Sequence, residues 1–403
     1  MTPPLRILVV SFYYPPDLSA GSFRTGALVA ALLEKPENGV TVDLITTMPN
    51  RYSSFGSVAP EREEHDRLRV TRVRLPPHRS GMRDQTRAFY RFWRASLRHA
   101  KNERYDLVYA TSSRLMTAAL GAQIARAARA PLYLDIRDIF VDTMKDVLSK
   151  SVARLTNPVF DAIERRTINR ADHVNLVSRG FCTYFESRYP SQSFTYFPNG
   201  IDEEFLPGAG EGVDAPPASR RPGPIRVLYA GNIGEGQGLH AIIPELAAAL
   251  ESRVSFRVIG DGGRRGQLEQ ALAAKGVTNV ELVAPMTREA LLQEYRDADV
   301  LFLHLNDYDA FRKVLPSKIF EYAALGKPVW AGVAGYAAEF LAAEVQNAAI
   351  FSPCDGGGAV AALDRLALVS TLRAAFIERF DRRVIMRAMA ADVIRVATTA
   401  PRR

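Results

Sequence analysis

At 403 residues, with 47% hydrophobic and 24% charged content, the sequence reads as a soluble globular protein of roughly two or three domains, which excludes disordered, fibrous and membrane-spanning classes. No apolar run approaches the roughly 18 residues of a membrane span, and residues 6–12 already read as a strand, so no signal peptide is expected and the default compartment is the cytoplasm. Cys182 and Cys354 lie far apart without a CxxC or Cys/His cluster, which argues against a disulfide framework or a zinc site; no metal is expected.

The net charge of +8 is concentrated in one place. Residues 67–104 hold twelve Lys/Arg against two acids, Asp84 and Glu103, a balance of +10 that leaves the rest close to neutral. Such a field favours an anionic partner: a phospholipid surface, a lipid diphosphate or nucleic acid.

Residues 6–12, RILVVSF, predict a buried strand, followed by a turn-rich loop over 13–21 and an amphipathic helix over 22–33. Strand, glycine-bearing loop and helix in that order present amides to phosphate, although the pattern is not GxGxxG. Gly21 either lets the backbone approach a ligand or serves the turn alone, and Arg24 is placed to add charge. Further strands are expected at 40–46, 68–75, 106–110, 131–136 and 173–177, with 49–67 an irregular surface excursion. A helix over 85–102 sets Arg87, Arg91, Arg94, Arg98 and Lys101 on one stripe and Phe89, Trp93, Leu97 and Ala100 on the other. The stripe is either a solvated face or a dock for an anionic membrane.

After the strand ending at 136, Asp135, Arg137, Asp138, Asp142, Lys145 and Asp146 crowd a carboxyl strand end, where open α/β sheets hold ligands; the alternative is a salt-bridged loop. FPNGID, 197–202, carries an Asn-Gly turn signal, and nine of the 22 residues in 203–224 are Pro or Gly, the pattern of a linker. A second series starts at 225: IRVLYAGN runs into GNIGEGQG (231–238), and SFRVIGDGG (255–263) follows. Strands at 280–283, 299–305, 328–331 and 349–351 alternate with helices at 264–275, 287–296, 317–325 and 335–343. The glycine-bearing ends at 231–238 and 260–263 are expected to turn unpaired amides on one anion. Two doubly wound parallel sheets facing across a cleft are predicted: 1–202, linker 203–224, 225–380, and a terminal helical segment 381–403.

VLPSKIFEYAALGKPVWAG, 314–332, reads as loop, short helix, stop and strand. Ser317 is the expected N-cap, Gly326 and Pro328 end the helix, and Lys318, Glu321 and Tyr322 share a face suited to a sugar diphosphate; the alternative is a surface Lys318–Glu321 pair. No Gx4GK[ST], HExxH, GxSxG or EF-hand pattern occurs, so P-loop and covalent hydrolase chemistry lack support.

The ordered series GNIGEGQG, VIGDGG, ADVLFLHL and PSKIFEYAALGKPV, with SFYYPPDLSAGSFR, DIRD, ADHVNLVS and PNGID before it, resembles the retaining family 4 glycosyltransferases of the GT-B fold. It is most similar to the bacterial O-antigen and capsule branch containing L-fucosamine-type and other N-acetylamino-sugar transferases. The resemblance implies that Glu321 binds nucleotide ribose hydroxyls, that Gly21 approaches the diphosphate, and that Arg137 and Asp138 lie near the donor sugar. It also implies that the last helix braces the first domain. The family's Glu-x7-Glu pair is broken by Lys313, leaving sugar contacts to main-chain amides or Ser317. Asn232 and Gln237 replace the usual Arg and Lys, so the diphosphate falls to Lys318, with Arg264 as helper and Gly231 and Gly260 lining the site. The implied reaction takes a sugar from a UDP-sugar to a polyprenyl-diphosphate-linked acceptor at the anionic inner membrane face, without a cofactor. The alternatives are a sugar-nucleotide epimerase, a transferase with a soluble acceptor, or a non-catalytic homologue. Nucleic acid is disfavoured because the arginines lack an exposed aromatic platform.

Overall fold

Residues 7–10 are apolar and buried, as a strand covered on both faces requires, and with Leu5 and Arg6 form β1 (Leu5–Val10) inside a parallel sheet. The computed structural model describes residues 4–17, 19–49, 59–76, 82–112, 115–139, 141, 150–206 and 222–401. Among them, β1 is joined by β2 (Val40–Thr47), β3 (Arg62–His65), β4 (Leu68–Val73), β5 (Leu107–Thr111), β6 (Leu132–Ile136), β7 (His173–Leu176) and β8 (Phe194–Thr195). The order is β3-β4-β2-β1-β5-β6-β7-β8, parallel except for the β3–β4 hairpin.

The β3 edge lies in a stretch expected to be irregular. Its sequence, REEH, has no apolar alternation; charge pairs hold it, Arg72–Glu63 at 2.6 Å and Arg74–Glu61 at 2.9 Å. The same pairs, with Arg69–Asp43 at 2.8 Å, consume part of the basic excess of residues 67–104.

The second sheet contains β9 (Ile225–Ala230), β10 (Val254–Ile259), β11 (Val280–Val283), β12 (Val300–His304), β13 (Val329–Gly332) and β14 (Ala348–Phe351) in the order β11-β10-β9-β12-β13-β14, all parallel. Trp330 is fully buried among Phe256, Phe302 and Phe351, and its indole N–H reaches the Ala359 carbonyl at 3.0 Å. The order in which strands are added reverses between β1 and β5 in one sheet and between β9 and β12 in the other. These are the switch points where α/β sheets open a crevice for ligands.

The chain divides into two compact units, residues 1–199 with 382–403, and residues 200–381. Most of the expected linker, 207–221, lies outside the described residues, as do Asp142, Lys145 and Asp146. The helix Arg382–Thr399 belongs to the first unit. It buries Met386, Met389 and Val393, its Arg382 Nε donates to the Asn199 carbonyl at 2.7 Å, and its Asp392 accepts the Tyr133 hydroxyl at 2.9 Å.

Candidate functional site

In the first unit, the β1 carboxyl end leads through a loop to the helix Ala20–Leu33, capped by Ser19, whose hydroxyl accepts the Ser22 amide at 3.2 Å. Arg24 does not face a ligand as expected. It is fully buried, bidentate to Asp135 at 2.8 and 2.9 Å, and donates to the carbonyls of Pro198 and Phe197 at 2.7 and 2.9 Å. Burial alone would raise the Asp135 carboxyl; Arg24 overrides it and holds the group below the ordinary range. Both are structural because their mutual pairing leaves no charge for a ligand.

Two residues on, Arg137 turns the other way. Its amide donates to the Ser112 hydroxyl at 3.0 Å, and its side chain reaches back over the first helical turn: a Cβ on Gly21 would fall 2.8 Å from Arg137 Nη1. That nitrogen is buried without a hydrogen-bond partner among the described residues. Asp138 beside it stays open to solvent, yet crowding by protein pushes its carboxyl up to about 6 despite the Arg137 charge.

In the second unit, Gly231 directly follows β9 and Gly260 directly follows β10. Contrary to the expectation of unpaired amides at these strand ends, both are bonded, because the ladder runs one residue further: Gly231 N–H donates to the Ile259 carbonyl at 2.8 Å and Gly260 N–H to the Val283 carbonyl at 3.0 Å. What the glycines supply is space. A Cβ on Gly260 would fall 1.8 Å from the Gly231 carbonyl oxygen, and one on Gly231 would fall 2.2 Å from Lys318 Nζ. The Lys318 ammonium thus lies over the β9 terminus, 5.4 Å from the centre of the Tyr229 ring.

Lys318 opens the short helix Lys318–Ala324. Ser317 makes no capping bond. Its φ of −59° and ψ of −29° are already helical, and the first turn closes instead through Ile319 to the Pro316 carbonyl and Phe320 to the Ser317 carbonyl, both 3.1 Å. Gly326, at φ +69°, ends the helix as expected. Tyr322 leaves the Lys318 face and is buried 5.7 Å from Tyr295, whereas Glu321 is half-buried in the field of Arg288. Arg288 is itself anchored at 2.6 Å to Asp202 of the PNGID motif. No motif announced Arg288, because its partners Asp202, Glu204 and Glu321 come from two segments far from it in sequence.

Asn232 and Gln237 bond each other, Nδ2 to Oε1 at 2.8 Å, across the loop where the family has cations. Arg264 is exposed but engaged with Glu235, whose other oxygen takes the Tyr308 hydroxyl. Lys313, where a carboxylate was expected, is half-buried at the end of the single-turn segment Asp309–Lys313.

The basic helix is Met82–Ala100. Phe89 and Phe92 are buried against Phe12 at 6.0 and 5.3 Å, while Trp93 and Leu97, expected on that face, are half-buried. Arg87, Arg91, Arg94, Arg98 and Lys101 are all exposed, and among the described residues no ion pair ties them to an acid. Arg94 stacks over the exposed Tyr90 at 5.8 Å.

Residues 22–200 match the family described as Glycosyl transferase 4-like domain, and residues 215–383 match Glycosyl transferases group 1. The chain is 27% identical over 215 residues to the putative colanic acid biosynthesis glycosyl transferase WcaI of Escherichia coli strain K12, a match covering 50% of this chain and 51% of that protein, about half its length. Its fold is similar to that of Anabaena Alr3699/HepE solved with UDP-glucose, at TM-score 0.63 and 19% identity over 97% of this chain and 99% of that one. It also resembles α,α-trehalose 6-phosphate synthase from Burkholderia multivorans, at TM-score 0.66 and 14% identity over 99% and 98%. With both family matches lying on two doubly wound sheets, the chain belongs to the family 4 glycosyltransferases of the GT-B fold.

Proposed function

We propose that this protein transfers a sugar, of the N-acetylamino class, from UDP to a polyprenyl-diphosphate-linked saccharide with retention at the anomeric carbon, in assembly of a surface polysaccharide such as O-antigen or capsule. The carrying observation is a device used twice: at each sheet's switch point a cation lies over a glycine, Lys318 over Gly231 and Arg137 over Gly21. A glycine admits an oxyanion close to the backbone, and the cation neutralises it. Glu321 accepts two ribose hydroxyls, with the Arg288 cation in its vicinity.

In the transfer, the bond from the anomeric carbon to the diphosphate breaks, and the bond to the acceptor oxygen forms on the same face. The acceptor proton passes to the departing diphosphate, so no side-chain base is required. Lys318 stabilises the charge that develops on that leaving group, and Arg137 with Asp138 orients the sugar. No metal or cofactor takes part. The exposed arginines of Met82–Ala100 hold the protein to the anionic inner membrane face. Among the described residues no helix is long and apolar enough to cross a membrane. UDP as nucleotide draws support from the HepE complex, and the polysaccharide context from the name of WcaI.

Calorimetry with UDP tests the donor site. Lys318→Ala and Glu321→Ala should each weaken binding by about tenfold or more, as loss of a charged hydrogen bond does. Unchanged affinity in both would refute the assignment. A thermal-shift screen of nucleotide sugars then names the donor.

A further inference from the structure

His304 is the last residue of β12, fully buried at the end of an otherwise apolar strand, and no step of the transfer uses it. Its Nδ1 lies 2.7 Å from the Gln237 carbonyl oxygen, and its Nε2 accepts the Cys354 amide at 2.9 Å. A carbonyl only accepts and an amide N–H only donates. Together they fix one tautomer, the neutral ring with its proton on Nδ1.

The ring has a berth shaped for it. A Cβ on Gly332, its partner across the β12–β13 ladder, would fall 2.3 Å from His304 Cδ2, and Phe302 and Phe351 flank the imidazole at 6.2 and 6.1 Å. The bond to Gln237 is also one of a series. Asn306, two residues on, donates its Nδ2 to the Glu235 carbonyl at 3.0 Å and its amide to the Gly236 carbonyl at 2.9 Å. Three consecutive carbonyls, 235 to 237, are therefore drawn onto the end of β12. Within the loop the Gln237 and Gly238 amides are themselves spent on the Gly234 and Glu235 carbonyls, both at 3.2 Å, so the segment is a closed turn held against that strand.

We infer that His304 is a positioning residue of the donor site, which locks the loop 231–238 to β12 and to the turn at Cys354 so that the loop is preformed for a nucleoside diphosphate. The choice of ligand rests on the proposed function; the lock does not. A flexible loop would lose affinity to ordering on each binding event, and the buried hydrogen bonds remove that loss beforehand.

The test uses the full chain. His304→Phe keeps a ring in the berth and removes both hydrogen bonds, and His304→Asn retains a donor near the Nδ1 position. Exchange of the 235–238 amides should accelerate by about tenfold or more in His304→Phe while the rest of the second unit is unchanged. The UDP dissociation constant should rise by a similar factor of about ten, with partial recovery of both in His304→Asn. Loop exchange within about twofold of wild type, or acceleration spread evenly over the unit, overturns the positioning role. A wild-type chain that fails to bind UDP while His304→Phe still loosens the loop would sink the donor assignment and support the lock. If His304→Phe does not fold, the same comparison between His304→Asn and His304→Gln decides.

Discussion

The ammonium of Lys318 stands in the space that a side chain on Gly231 would need, 2.2 Å from where a Cβ would be built, whereas the corresponding space at Gly260 is filled by the Gly231 carbonyl at 1.8 Å. Both glycines hold left-handed φ values, +149° and +151°. The two neighbours differ in what can yield, since a lysine tip swings aside and a strand backbone does not. Gly231→Ala should therefore cost about 1–3 kcal/mol through backbone strain and lower UDP affinity by displacing the ammonium. Gly260→Ala should destabilise the fold more severely, with little soluble protein recovered. Thermal melts with UDP calorimetry separate them; wild-type affinity in Gly231→Ala would show that Lys318 is not held by this glycine.

Arg24 and Asp135 should behave as one buried unit. Replacing either by Ala leaves its partner charged in the core, and urea unfolding should lose about 3–5 kcal/mol. The double replacement with Met at 24 and Leu at 135 should recover much of that loss. If Arg24→Ala folds as stably as wild type, the pair is not the anchor its geometry indicates.

That pair also marks the limit of what was legible in sequence. Local pattern located β1, β2, β9 and β12 and the glycine loops, because apolar runs and turn residues act over a few positions. It also placed Lys318 and Glu321 on one short helix. It could not tell Arg24 from Arg137, since which arginine is neutralised depends on Asp135, Asn175 and the 197–198 carbonyls, more than a hundred positions from Arg24 apart from the side chain's own turn. The β3 strand and the Asn232–Gln237 bond were hidden for the same reason: polar pairs leave no periodic trace.

Acid should unlock His304. Burial pushes its imidazole down to about 4 from the ordinary 6.5, opposed by the Gln237 carbonyl and assisted by nearby His240. The unfolded chain takes up its proton as pH falls through 6.5, and the folded one only near 4. The contribution is thus whole above 6.5 and is lost progressively toward 4, by roughly 3 kcal/mol. Asp138, pushed up to about 6, works in the opposite sense, its contribution being present below 3.8 and lost as pH rises through 6. It is common to wild type and His304→Asn and drops out of their difference. The stability gap between these two proteins, from urea unfolding, should therefore shrink from pH 7 to pH 4.5. A constant gap would contradict the buried neutral imidazole.

The helix Met82–Ala100 separates packing from charge: Phe89 and Phe92 hold it to Phe12, and Arg87, Arg91, Arg94 and Arg98 are exposed. Changing Arg87, Arg91, Arg94 and Arg98 together to Ala should leave the melting temperature near wild type, because none is tied to an acid among the described residues. At about 1 kcal/mol per basic residue near an anionic surface, the four changes should weaken binding to phosphatidylglycerol vesicles by roughly three orders of magnitude. Wild-type binding should fall as salt rises, since the attraction decays over about 8–10 Å at physiological ionic strength. Flotation that is indifferent both to the four substitutions and to salt would assign membrane contact to another surface, and no flotation of the wild type at low salt would remove the membrane from the proposed function while leaving the donor site intact.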